Sequence, residues 1–322
     1  MSPRLSVLDQ SPIGRGRTAA QALRDSVVLA GHADRLGYHR YWVAEHHGSP
    51  AFAGTAPEIL AGRLLEATDR LRVGSGGVLL PRYRPDKVAE AFQVLAALHP
   101  GRVDLGIGRA GGHATDFPRS VDTLLRPLGV DGGAPPPPVW LLGSSTGSAQ
   151  LSAALGTSFC FAHFLNPDAA EAASDAVRRD RAPGTEHALA VRVVTAEDPD
   201  HAEELRHAYL LWRSRKDLGT EDPFPDVDTA RRHRWTPAET NRAAAHARAV
   251  IAGPPAHVRA ELGALAAKYG VDEIIITMLT HDPADRASAL RLLAEGGQDR
   301  PNPPSEASVR SPADPVAGRG AV

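Results

Sequence analysis

Apolar residues recur along this chain with two alternating periods. Short β-branched and apolar runs are separated by longer stretches whose apolar residues repeat every three or four positions, the contrast between strand and amphipathic helix. Strand signals fall at Arg4 to Leu8, Tyr38 to Glu45, within LRVGSGGVLLP from Leu71 and within GRVDLGIGRAGG from Gly101. They continue at Val139 to Gly143, Thr157 to Phe164, Leu189 to Thr195 and Asp272 to Leu279. Helical spacing fills Ala19 to Leu36, a stretch opening at Thr55 with Thr55 as N-cap, Asp86 to His99, Phe117 to Leu128 and Ser145 to Leu155. It returns at Pro167 to Arg179, Pro199 to Lys216, Pro255 to Tyr269 and Ala284 to Leu293. Eight strands each followed by a helix predict an α/β chain folded as a (β/α)8 TIM-like barrel rather than an open doubly wound sheet.

That barrel is expected to occupy residues 1–296 as one domain. Between Asp217 and Trp235 the polar, proline-containing run DLGTEDPFPDVDTARRHRW reads as a lid-like insertion that buries little surface. The run GVDGGAPPPP is a stiff linker, and the Pro, Ser, Gly and Ala mixture of residues 297–322 predicts a disordered tail.

Composition removes several classes of function. A net charge of -2 over 322 residues, with no concentrated basic face, argues against nucleic acid or anionic lipid as the partner. No apolar run reaches membrane-spanning length and the first residues lack a signal peptide's apolar segment, so a cytoplasmic protein is expected. The single cysteine, Cys160, rules out an intrachain disulfide and a multi-cysteine metal site; its apolar surroundings, TSFCFAHF, predict a packing role.

Candidate chemistry collects at the predicted C-terminal ends of strands, where barrels of this kind bind ligands. Gly106, Gly108 and Gly111 spell G-x-G-x-x-G, but GHATDFP follows instead of a helix, so a dinucleotide turn is rejected. Arg109 in that loop is read as a fixed cation for a phosphate or carboxylate. Gly143, Ser144, Ser145, Gly147 and Ser148 lie between a strand and a helix, where hydroxyls and free N-H groups suit an anion or simply cap the helix.

Glu45, His46 and His47 end the second strand, and alternation predicts that at most one histidine faces the mouth. Adjacent histidines lack metal-ligand geometry, so no metal is expected; one imidazole remains as a proton carrier or a structural hydrogen-bonding group. Ser75, Gly76 and Gly77 read either as a bulge or as a strained peptide, a non-proline cis bond, placed against a planar ring. Gln10 and Ser11 end the first strand beside them.

Taken together, LSVLDQSP, GYHRYWVAEHHG, LRVGSGGVLLP, PGRVDLGIGRAGG and LLGSSTGSAQLSAALG resemble the bacterial luciferase-like flavin-dependent monooxygenases over most of residues 3 to 295. The resemblance implies reduced FMN bound at the barrel mouth and dioxygen adding to it as a flavin C4a-hydroperoxide, which oxygenates a small organic substrate. It implies His46 as the catalytic histidine with Glu45 beside it, Arg109 and Ser144 with its neighbours around the phosphate, and Gly76, Gly77 and Val78 as a cis-peptide bulge against the ring. Gln10 and Ser11 join the cofactor set. It also implies a two-component system with a separate NAD(P)H:flavin reductase, and a homodimer. Gly108 stands where light-emitting relatives carry a reactive cysteine, which favours a tailoring or catabolic enzyme over light emission. The alternatives are F420-dependent hydride transfer on the same barrel and flavin binding without turnover, the latter suggested by a short connection from Gly112 to Pro138.

Overall fold

The computed structural model describes residues 2–109, 116–128 and 135–295; the tail, Gly111 and residues 129–134 of the linker lie outside the described residues. Among the described residues nine strands form one sheet: β1 (Arg4–Asp9), β2 (Arg40–Val43), β3 (Arg72–Leu79), β4 (Val103–Gly108), β5 (Val139–Gly143), β6 (Ser158–Ala162), β7 (His187–Thr195), β8 (Val250–Gly253) and β9 (Glu273–Thr277). Every strand pairing is parallel. β1 to β6 pair in sequence, β6 pairs β7, β7 pairs β9 and β9 returns to β1, which closes the eight-stranded barrel predicted from the alternation.

The ninth strand was not foreseen. β8 pairs with β7 from Arg192 to Thr195, beyond the Ala188 to Arg192 stretch that pairs with β9. Four residues are too few for a period to register.

Helices α1 (Ala19–Arg35), α2 (Pro57–Glu66), α3 (Pro85–Leu98), α4 (Phe117–Leu128), α5 (Thr146–Leu155) and α6 (Ala170–Asp180) follow the first six strands. After β7 come α7 (Pro199–Asp217), α8 (Val227–Arg232) and α9 (Pro237–Ala247), then α10 (Pro255–Tyr269) after β8 and α11 (Pro283–Ala294) after β9. Side-chain caps at Thr18, Asp198, Thr236 and Asp282 satisfy N-H groups that the first turn leaves free. Thr55 does not cap α2, contrary to expectation: Ala56 holds that position, and Pro57 presets the first helical φ. Among the described residues no helix is long and apolar enough to cross a membrane.

Strand alternation sorts residues between two cores. Tyr41, Val43, Leu105, Ile107, Leu189, Ile274 and Ile276 belong to the large apolar layer between barrel and helices. Leu8, Trp42, Trp140, Cys160, Ala188 and Ile275 meet inside the barrel, where Cys160 is 3% exposed. Beneath them lies an ionic layer. Arg40, with no exposed surface, donates Nη1 to Asp104 (2.9 Å), Nε and Nη2 to Glu273 (2.6 and 2.9 Å), and Nη2 to Glu186 (3.2 Å). Ser6 Oγ donates to Glu273, Trp42 Nε1 donates to Asp104, and the guanidinium lies 4.5 Å from the Trp140 ring centroid. Charged side chains from four strand beginnings thus close one end of the barrel, leaving the other end open.

Residues 217–235 bury more than their composition predicts. Phe224 is 1% exposed; its N-H donates to Ile13 O and its carbonyl accepts from Arg15 N, both at 2.8 Å. It packs with Phe52, Trp212 and Leu279 in an apolar cluster. Asp226 caps α8. The polar majority of the segment concealed one aromatic anchor, which is enough to fix its course.

Replacing Arg40 with methionine would leave Asp104 and Glu273 buried beside one another without the shared cation. Such unpairing destabilises by about 3–5 kcal/mol. Urea denaturation of Arg40→Met should show a loss of that size, and a loss below about 1 kcal/mol would contradict the role given to this network.

Candidate active site

The open end holds a cavity of about 720 Å³ lined from the C-terminal ends of β1 to β7 and β9. Gln10, Glu45, His46, Gly76, Gly77, Arg109, Gly143, Ser144, Ser145, Gly147 and Ser148 all line it, although they span 139 positions of sequence, from 10 to 148. Two candidates do not. Ser11 (φ 47°) turns away: its N-H donates to Asp9 Oδ1, and its hydroxyl bonds Ser26 of α1 at 2.8 Å. Val78 is 3% exposed in the layer between barrel and helices, because it follows a register shift between Ser75 and Val78.

The Gly76-Gly77 peptide is cis, as one reading of the sequence anticipated. A Cβ on Gly76 would fall 2.5 Å from Leu8 Cδ1 and 2.9 Å from Trp42 Cβ. One on Gly77 would fall 2.6 Å from Leu142 Cδ1. Only bare backbone fits here, and it forms part of the cavity wall.

On the neighbouring wall, Ser145 and Ser148 form a reciprocal capping box at the start of α5. The capping reading therefore holds for these two hydroxyls. It leaves the N-H groups of Thr146 and Gly147, in the first turn, without intrahelical partners. Arg109 is exposed at the end of β4 on the same cavity and makes no hydrogen bond among the described residues. A cation and a helix N-terminus on one cavity are an arrangement that attracts a phosphate or another anion.

Both His46 and His47 line the cavity, against the expectation of one. β2 ends at Val43, so strand alternation does not extend to them. Glu45, also placed as catalytic by the resemblance, is committed elsewhere: it accepts from His47 Nε2 (2.5 Å), Tyr83 OH (2.6 Å) and Leu79 N (2.9 Å). Its carboxylate ties the β2 end to the β3 end.

His46 stacks on Phe52 with ring centroids 4.3 Å apart. Its tautomer follows from a chain of partners. Arg192 Nη2 can only donate, so Gln10 turns Oε1 toward it (3.0 Å) and presents Nε2 to His46 Nε2 (3.3 Å). His46 Nε2 must accept, which puts the ring proton on Nδ1, a buried atom without a hydrogen-bond partner among the described residues. Burial, then the positive charges of Lys216 and Arg192, push the His46 pKa down to about 4. The imidazole is neutral throughout the physiological range.

Arg192, Tyr209, Trp212, Arg213 and Lys216 also line the cavity, and the sequence reading missed all five. One signal was available: Arg192 is the only charged residue in HALAVRVVT, and a charge within an apolar strand usually has a purpose. The other four lie along α7, whose face toward the cavity is set by packing.

A closed parallel barrel with a side-chain-free wall and an anion end at its mouth defines a class that comparison identifies. The luciferase-like monooxygenase family matches residues 4–122 and 113–273, and the chain belongs to this family. It is similar to the uncharacterized protein YwcH of Bacillus subtilis (37% identical, 92% of this chain and 99% of that protein). It is also similar to the N-acetyl-S-alkylcysteine monooxygenase of the same organism (34% identical, 91% and 97%). The crystal structure of apo-MsnO8 superposes with a TM-score of 0.85 at 36% identity, covering 94% of this chain and 99% of that one. These relationships place the chain among oxidoreductases.

His46 and His187 are both held near pKa 4 by burial, below the ordinary 6.5. As pH falls below 6.5 the unfolded chain takes up these protons first, so stability present above 6.5 is lost as pH approaches 4. Between about pH 7.5 and about pH 5.5 each such histidine withdraws roughly 1 kcal/mol. Denaturation at the two pH values should show a smaller loss for His46→Asn than for wild type; equal losses would contradict the buried neutral state.

Proposed function

We propose that this protein is a flavin-dependent monooxygenase that takes reduced FMN and dioxygen and oxygenates a small organic substrate. The observation that carries this reading is the convergence on one cavity of a cation with a helix N-terminus, a wall of bare backbone, and a neutral imidazole whose Nδ1 has no hydrogen-bond partner among the described residues. The residues fit the cofactor. Arg109, Ser144 and the first turn of α5 would hold the phosphate, with Gly143, Ser145, Gly147 and Ser148 shaping that turn.

Gly76 and Gly77, which have no room for a Cβ beside Leu8, Trp42 and Leu142, would present bare backbone to the flat ring. When bound, reduced FMN supplies the two electrons that let one oxygen atom of dioxygen enter the substrate while the other leaves as water. Leu8, Trp42, Leu142, Cys160 and Ile275 make an apolar floor that excludes bulk water from the ring. His46 would serve as the neutral proton carrier at the cavity wall, and its low pKa keeps Nε2 unprotonated and bonded to Gln10. Glu45 fixes the loop that carries His46. A separate NAD(P)H:flavin reductase supplying reduced FMN and a homodimeric assembly belong to the same reading.

Supplying the protein with reduced FMN, isotopically heavy dioxygen and a panel of aldehydes, ketones and thioethers should give a product carrying one labelled oxygen atom. Reoxidation of flavin to hydrogen peroxide alone, across the panel, would count against a monooxygenase. Titration with F420 in parallel separates the hydride-transfer alternative, and FMN binding without turnover would mark a binding protein.

Two variants test the roles. Arg109→Ala should weaken FMN by about 1.5–3 kcal/mol, the worth of a charged hydrogen bond, with riboflavin affinity unchanged in calorimetry. His46→Ala should keep FMN affinity and lose turnover by about 10²–10⁴-fold. Unchanged turnover would remove that imidazole from the chemistry.

A further inference from the structure

The cavity has a second charged wall that a phosphate on Arg109 leaves unanswered. Arg192 is 4% exposed and reaches the cavity from the end of β7. Its donors meet only neutral acceptors: Nη2 bonds Gln10 Oε1 at 3.0 Å and Nη1 bonds Thr277 Oγ1 at 3.2 Å. Its Nε is buried with no partner among the described residues. No carboxylate lies within ion-pair distance of it among those residues. Arg40, at the other end of the same barrel, has three carboxylates.

Isolating a guanidinium from water without an anion is unfavourable, and arginine cannot escape by losing its proton. The rings of Phe164 and Tyr209, with centroids 5.0 and 5.1 Å from the guanidinium carbon, offset part of that penalty through their π-faces. Neither of them supplies a carboxylate. Arg286 is also buried with a partnerless Nε, but it lies outside the cavity lining and donates to Thr280 O. Arg192 is therefore distinguished by where it sits: an under-bonded cation on a ligand cavity.

Two more cations extend this wall. Lys216 and Arg213 line the cavity from α7, each with an acid of its own, Glu221 at 3.4 Å and Asp217 at 2.8 Å. Among the described residues the uncompensated charge on this wall is thus one, which suits a monoanion. It belongs to the ends of β7 and β9, whereas Arg109 and the α5 turn belong to β4 and β5, with β6 between them. The two therefore stand at separate strand ends of one mouth. Phe52, Phe164, Tyr209, Trp212 and Leu279 surround these cations with apolar surface.

We propose that the substrate is an amphipathic organic carboxylate, with its acid group held by Arg192 beside Lys216 and its apolar body against Phe52, Tyr209 and Trp212. A planar carboxylate matches a guanidinium edge, and its single charge matches the single unpaired cation. The word substrate rests on the monooxygenase reading; the binding site does not.

The probes are 4-phenylbutanoate and its neutral isostere 4-phenylbutanamide, titrated calorimetrically into the protein with and without saturating FMN. The carboxylate should bind at least about tenfold more tightly than the amide in both states, as expected for one buried charge-assisted contact. Arg192→Met should abolish that preference and Arg192→Lys should restore part of it, with FMN affinity within about twofold of wild type. Lys216→Gln, at a partly exposed position, should reduce the preference and keeps the test decisive if Arg192→Met fails to fold. The proposal is overturned if the wild type binds both probes equally, or if the preference survives Arg192→Met. It is equally overturned if Arg109→Ala removes the preference instead, or if Arg192→Met weakens FMN while the preference persists. Failure of wild type to bind FMN would defeat the cofactor reading and leave the carboxylate titration without FMN to stand on its own.

Discussion

Arg40 has no exposed surface, and its position inside a parallel barrel is tolerable only because its donors are answered by carboxylates from β4, β9 and the residue before β7. The attraction runs both ways. Asp104 and Glu273, themselves almost wholly buried, could not sit together without the guanidinium between them. This layer spans the barrel's N-terminal end, and Trp42 and Trp140 stack above it with their rings edge to face. The interior is therefore filled from that end upward, first by paired charge and then by aromatic and small apolar side chains. What remains unfilled is the opposite mouth.

The mouth inverts the logic of the closed end. There, charges are matched within the protein; here, among the described residues, cations stand on two walls with fewer carboxylates than they need, and a histidine keeps a proton without an acceptor. Such under-satisfaction is unfavourable within the protein alone, and any ligand group that supplies the missing acceptors relieves it. Bare backbone at Gly76 and Gly77 adds the space. The hydrogen-bond chain from Arg192 through Gln10 to His46 links the walls, so the imidazole's tautomer depends on a strand 146 residues further along than His46 itself.

Glu45 and Phe224 illustrate how packing reassigns residues whose local context suggests something else. A carboxylate next to a histidine at a strand end looks reactive, yet Glu45 gathers three donors from β3, its own loop and Tyr83, and so holds the loop in place. A phenylalanine in a polar, proline-rich run looks solvated, yet Phe224 pairs its backbone with residues near the N-terminus and packs beneath α7. Each outcome depends on partners far away in sequence.

The eight barrel strands, the helices between them, the glycine wall and the serine turn of α5 were legible in the chain itself, because helical and strand periods, glycine and capping residues act over a few neighbouring positions. The gathering of His46, Arg109 and Ser144 at one rim followed from the same periods, since a closed barrel brings every strand's C-terminal end together. Ser11 and Val78 left that rim for reasons no period contains: a left-handed turn in one case, and a shifted register in the other. Arg192, Lys216 and Arg213 joined it for the same kind of reason. Whether a charge is paired depends on which distant side chains arrive beside it, and only the closed tertiary structure decides that.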